Sequence, residues 1–290
     1  MYEQITKNKW LSYFLLAGFF IIVFLLGLIF SVILDWGIAG LFFAALISII
    51  MGLVGYYSGD KIVLSMSKAV LANKKEHAFL INAVDGLAIA AGIPAPKIYV
   101  INDSAMNAFA TGRDPKNASI AVTTGLMEKL NRTELEGVIA HEMSHIKNLD
   151  TRLMVIVAVL VGIVALLSDW ILRSMFWGRG NREDKSGAML VFLVIGIVLA
   201  ILTPIVAQLI KFAISRKREF LADASGAMLT RHPDGLANAL AKISKESNQL
   251  KSASKATAHL YISNPFKKGV ASWFSTHPPI EERIKALKAM

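Results

Sequence analysis

Cysteine is absent from all 290 residues. That excludes disulfide staples and thiolate ligation of a metal, and it fits a reducing compartment. Acidic residues are scarce as well: 21 stand against 31 lysines and arginines, for a net charge of +10. Such an excess suits nucleic acid or an anionic membrane. No interleaved aromatic and basic residues mark an RNA-binding surface, so nucleic acid is set aside as a partner. Internal repeats and low-complexity tracts are also missing, which leaves solenoids and long linkers out of the reading.

What the chain has in excess is apolar sequence, 54% of its residues, gathered in four blocks. Leu11–Leu34 and Ile38–Tyr57 are each long enough to cross a bilayer, for which about 20 residues suffice. Gly37 lies in the short turn between them. Leu153–Leu172 is interrupted late by Ser168 and Asp169, and Ala188–Ile214 carries Thr203, Pro204, Gln208 and Lys211. Charge inside a membrane is costly away from an interface or a partner. These last two blocks are therefore expected either to span or to be embedded. Lys7 and Lys9 precede the first block, Lys61, Lys68, Lys74 and Lys75 follow the second, and the turn between holds only Asp35. The positive-inside bias then predicts a cytoplasmic N-terminus and a cytoplasmic segment after Tyr57. Arg173, Arg179, Arg182 and Lys185 would violate that bias outside the membrane, which favours shallow or shielded helices for blocks three and four. The first run exceeds the 7–15 residues of a signal core and lacks a small-residue cleavage site, so a retained anchor is expected.

The rest reads as a polar region carried in two parts. Lys74–Ile93 has helical apolar spacing and ends near a glycine and Pro94. Lys97–Asn102, Asn107–Gly112 and Ser119–Gly125 are short β-type runs bounded by turn residues. Leu126–Asn131 reads as a short helix. Thr133 with Glu136 three residues on reads as a capping box, opening a helix that should continue to Asp150. Helices are also expected over Ser215–Thr230, from Pro233 to Ser247, and in the closing "PPIEERIKALKAM".

The chemistry lies in "AHEMSHIKNLD". His141 and His145 are four apart on a helix, so both imidazoles project from one face and can bind one Zn²⁺. Glu142 can take a proton from a water that zinc has acidified. A catalytic zinc needs a third protein ligand. The metzincin continuation does not supply it, since Asn148 and Thr151 stand where its glycine and third histidine would be. Glu219 is the best candidate, and Glu246 and Asp234 are weaker ones. Asp223, one turn beyond Glu219, could orient a ligand histidine or simply pair with Lys217 or Arg218. One zinc cannot be shared across a bilayer, so the chain between His145 and Glu219 must cross it an even number of times. His77, His232 and His259 read as surface or capping residues.

"VIAHEMSHIKNLD", "SRKREFLADASGA", "NAFATG" and the late "STHPPIEERI", in this order and with paired apolar blocks, resemble the HtpX-type membrane zinc metalloproteases. The CaaX prenyl proteases are more distant relatives. The resemblance implies a mainly α, polytopic membrane protein with a zincin-like (gluzincin) domain carrying a small β-sheet. It divides the chain into a transmembrane hairpin (1–60), a first catalytic part (61–152), a second apolar hairpin (153–214) and a second catalytic part (215–290). It implies one Zn²⁺ per chain on His141, His145 and Glu219, with Glu142 as base and His277 near the metal, where it could stabilise an oxyanion. Asn107–Ala110 would be an edge strand pairing with substrate backbone. The implied activity is cleavage of misfolded or damaged membrane proteins at the cytoplasmic face of the inner membrane under stress. Rival readings are processing of lipidated C-termini, and a zinc-stabilised scaffold or holdase without turnover.

Overall fold

The computed structural model describes residues 2–33, 36–177, 196, 216–246, 248–250, 253–254, 256–265 and 278–290. Two long helices open it, α1 (Tyr2–Ile33) and α2 (Gly37–Met66). Gly37, at φ +53, makes the turn between them. Ile5–Leu25 and all of α2 are long and apolar enough to cross a membrane, and they are the two such stretches among the described residues. The second helix outruns the expected end at Tyr57. Its last turns carry Val63 and Leu64 into the core of the polar domain, so one rigid rod links membrane and domain.

A four-stranded sheet follows, built from β1 (Val70–Leu71), β2 (Lys97–Ile101), β3 (Ala108–Gly112) and β4 (Ala118–Thr123). Its order is β1-β2-β4-β3: β2 and β4 are parallel, and the outer pairs are antiparallel. Strand β3 therefore lies at an edge among the described strands, as the resemblance implies. Helix α3 (Ala78–Ala91) begins four residues later than the apolar spacing suggests, and Gly92 in the left-handed region ends it. Helix α4 (Thr124–Lys129) is capped by the Thr123 hydroxyl.

The central helix α5 (Arg132–Lys147) corrects the sequence reading at both ends. Its capping box is Asn131 with Glu134, not Thr133 with Glu136. Glu134 N donates to Asn131 Oδ1 at 2.9 Å and Asn131 N to Glu134 Oε2 at 2.8 Å. Glu136 instead pairs with Arg132 one turn earlier. The helix also stops at Lys147. Leu149 adopts φ +60, and α6 (Asp150–Trp177) starts in a new direction. A continued helix would carry Asp150 about 140° round from His145, at 3.6 residues per turn. The break is what brings the two together.

Block three begins as core. From Leu153 to Ala158 every residue of α6 is buried in protein, so these first turns are a domain helix before any lipid contact. Arg173 falls within α6, while block four apart from Gly196, and the rest of the basic loop (178–187), lie outside the described residues. Helices α7 (Arg216–Thr230), α8 (Pro233–Ser244) and α9 (Ile280–Lys288) complete the fold. Buried Leu135, Val138, Ile139, Met143 and Ile146 of α5 anchor the main apolar cluster against α3, the sheet and α8. Gly226 lets α7 cross α5 at close range: a Cβ there would sit 3.0 Å from the His141 backbone nitrogen.

Candidate metal centre

On α5 the helical repeat puts His141 and His145 on one face, and the close crossing at Gly226 lays the first turn of α7 over that face. The result is a buried cluster. One ligand atom each from His141, His145 and Glu219 lie within 4.8 Å of one another, the one such group among the described residues. The two Nε2 atoms are 3.2 Å apart; Glu219 oxygens stand 3.8 Å from that of His141 and 3.5 Å from that of His145. Asp234 is exposed at the start of α8, and Glu246 pairs with Lys129. Neither joins the cluster.

Each imidazole is held from behind by a carboxylate. His141 Nδ1 is 2.9 Å from Asp223 Oδ1, and His145 Nδ1 is 3.0 Å from Asp150 Oδ2. Asp223 thus meets the His141 ring and not Arg218, which reaches Asn8 and Asp150 instead; among the described residues Lys217 has no ion pair with it either. With Nδ1–H given to a carboxylate, each ring in its neutral form presents an Nε2 lone pair toward the other. The two Nε2 atoms and the Glu219 carboxylate thus converge in a dry space, with the permanent cation of Arg283 beside Glu219. The 3.2 Å separation is close to the ~3.3 Å expected between two donors each about 2.0–2.1 Å from a tetrahedral zinc. The donor set and its spacing fit a divalent metal.

Two contributors escape the sequence reading. Asp150 does so because the break at Leu149 is invisible in residue spacing. Arg283 does so because a basic residue near a C-terminus reads as solvated. It is fully buried, with Nε and Nη2 on Asp223 at 2.8 and 2.6 Å and Nη1 3.4 Å from Glu219 Oε2. Its signal was present: Ile280, Arg283 and Leu287 share the inward stripe of α9, where an arginine is out of place.

The electrostatics divide the two histidines. Burial pushes His141 down, against the pull of Asp223 and with the help of the Arg283 charge. Burial also opposes charge on His145, but the hydrogen bond to Asp150 and the Glu219 carboxylate outweigh it and raise that pKa to about 9. Asp223 is held below its usual range because Arg283 overcomes the cost of burying it. Glu142, next to the two clustered histidines, is raised by burial to about 7, while the Ala110 backbone N–H on its carboxylate works the other way. A carboxyl poised near neutrality is suited to accept and return a proton.

That contact sets β3 beside the cluster. Asn107 and Thr123 form a hydrogen-bonded pair, so Ala108 and Ala110 turn their backbone groups away from β4. Part of this edge is already taken: Ile262 N donates to Ala108 O at 3.0 Å, and the Asn107 side chain binds the Ser263 carbonyl. His259, read from sequence as a surface residue, is buried in the same segment and bonds the Met154 carbonyl of α6. His277 lies outside the described residues.

Residues 74–290 match the sequence model of Peptidase family M48. Over its whole length the chain is 49% identical to 98% of a Protease HtpX homolog from Caldanaerobacter subterraneus subsp. tengcongensis. It is 42% identical to another from Listeria monocytogenes serotype 4a, here over the whole of both chains. Among solved structures it resembles S. mikatae Ste24p, with a TM-score of 0.53 at 20% identity, over 99% of this chain and 67% of that one.

Proposed function

The chain belongs to Peptidase family M48 and is a membrane metalloprotease, and on that premise we propose that it is a zinc endopeptidase of the inner membrane, cutting misfolded or damaged membrane proteins at the cytoplasmic face. The observation that carries this reading is the convergence of His141, His145 and Glu219, with Glu142 alongside and a sheet edge adjoining. In this reading the three cluster residues hold one Zn²⁺. The zinc supplies an acidified water and a Lewis-acid contact for the scissile carbonyl. Asp223 and Asp150 keep both rings turned so that Nε2 points inward, and Arg283 balances the charge of Asp223 and Glu219. Glu142 accepts the proton of the attacking water on its carboxylate and returns it to the departing amine. With Ile262 on the Ala108 carbonyl and Glu142 on the Ala110 N–H, the Ala110 carbonyl and Gly112 would pair with an extended substrate backbone.

The proposed organisation is a transmembrane hairpin (1–60), a second apolar hairpin (153–214) and a catalytic domain assembled from 61–152 and 215–290. Lys7 and Lys9 in the first turns of α1, Lys61 near the end of α2, and Lys68, Lys74 and Lys75 after it support a cytoplasmic domain. Exposed Phe14 and Phe42 on α1 and α2 support lipid contact, and a site beside that hairpin supports substrates drawn from the bilayer. The test is Glu142→Gln in detergent-purified protein, with zinc analysis beside a cleavage time course on casein and on a denatured membrane protein. Zinc content should stay at wild type while cleavage falls about 10²–10⁴-fold. Undiminished cleavage would remove Glu142 as base. A wild-type protein that binds zinc yet cleaves nothing in either assay would turn the reading to a scaffold.

A further inference from the structure

Asn8 lies in the first turns of α1, inside the candidate span Ile5–Leu25, and it is completely buried. An anchor has no use for a buried amide, which costs about 1–3 kcal/mol if left unpaired. The partners of Asn8 come from three other elements. Its Nδ2 donates to the Asn148 carbonyl at the end of α5 (2.9 Å) and to Asp150 Oδ1 at the start of α6 (2.7 Å). Its Oδ1 accepts from Arg218 Nη1 of α7 at 3.1 Å. The orientation follows from chemistry, because a carbonyl and a carboxylate only accept and a guanidinium only donates. All three contacts adjoin the metal cluster. Asn148 closes the helix bearing both histidines, the other oxygen of Asp150 holds His145 Nδ1, and Arg218 precedes Glu219.

We propose that Asn8 is a positioning residue of the metal centre, and that the first membrane helix is therefore part of that centre's outer frame as well as an anchor. The inference rests on His145 and Glu219 being zinc ligands. Asn8 fixes Asp150, Asp150 fixes the His145 ring, and the same amide ties down the start of the helix that delivers Glu219. Only an amide serves: an aspartate here would set a carboxylate against Asp150 and the Asn148 carbonyl. Partners one bond out from a ligand change metal affinity about 10–100-fold, and Asn8 acts one bond further, so about tenfold is expected.

The experiment measures zinc release to a chelator from the full-length protein in detergent, and the visible spectrum of its cobalt-loaded form. Asn8→Ala and the same-size Asn8→Asp should release zinc about tenfold faster and shift the cobalt bands. Ser12→Ala, which removes a buried hydroxyl that among the described residues bonds only the Asn8 carbonyl within α1, should match wild type in both. Adding Asp150→Asn to Asn8→Asp restores a donor facing an acceptor, and should slow release relative to Asn8→Asp alone. Wild-type release and an unshifted spectrum in Asn8→Asp would overturn the proposal, whatever happens to cleavage. Should Asn8→Ala fail to accumulate, Asn8→Asp alone decides. Failure of the underlying assignment reads differently: His145→Ala would then hold zinc as tightly as wild type.

Discussion

Along α1 and α2 it is the apolar side chains that face outward, Phe14 and Phe42 each 73% exposed, while Asn8, Ser12 and Ser48 are buried. At the crossing of α5, α7 and α9 it is the charges that face inward: Glu142, Glu219, Asp223 and Arg283 are all nearly inaccessible. Both regions invert the usual globular pattern, for different reasons. In the proposed membrane setting the hairpin's surroundings are apolar, so burying an apolar face gains little and polar groups must find partners inside. In the crossing, burial of charge is tolerated where a group has an opposite charge within reach, as Asp223 and Glu219 have in Arg283. Burial alone therefore says little about either region. What separates them is whether the inward groups point at a common centre.

The largest expected effect tests that centre. Glu219→Ala leaves two protein donors, and zinc per chain should fall by more than the ~100-fold that an outer partner commands, measured by metal analysis after gel filtration. Full retention would break the comparison, since the buried acids would then need no cation. Next comes Arg283→Met. It strands Asp223 and Glu219 without their counter-charge, and loss of one partner from a buried pair costs about 3–5 kcal/mol. Thermal unfolding of the purified protein should show a large fall. Smaller again is Asn131→Ala, which removes the cap of α5 at about 1 kcal/mol, whereas Thr133→Ala should cost far less. Equal losses in the two would return the cap to Thr133. The smallest effect belongs to the hairpin. Phe42→Leu keeps an apolar side chain on an exposed site, so stability in detergent should move by no more than about 0.5 kcal/mol. A large loss there would mean that Phe42 packs against protein and not lipid.

Much of this was legible in the chain. Runs of about 20 apolar residues announce a span whatever their neighbours, because the bilayer sets the length. The four-residue spacing of His141 and His145 announces a shared face, because the helical repeat is local. Glu219 and Asp223 could be nominated because they share one face of a single predicted helix. The misreadings share a cause. Asn-x-x-Glu and Thr-x-x-Glu overlap at the start of α5, and only the closed hydrogen bonds between Asn131 and Glu134 choose between them. His259 looked solvated because nothing nearby in sequence shows that its segment folds against α6 and β3.

By itself, then, the sequence determined what local geometry and solvent preference can dictate: two helices long and apolar enough to cross a membrane, the helix bearing the two histidines, the short strands and the candidate third ligand. Tertiary structure alone decided which distant groups complete the centre. Asp150 reaches His145 only because Leu149 breaks the helix at φ +60. Arg283 and Asn8, 142 residues from His141 and 142 from Asp150, arrive from opposite ends of the chain. No periodicity encodes such meetings. A buried charge or amide is stable only where its partner already stands, and that place exists only once the helices have packed.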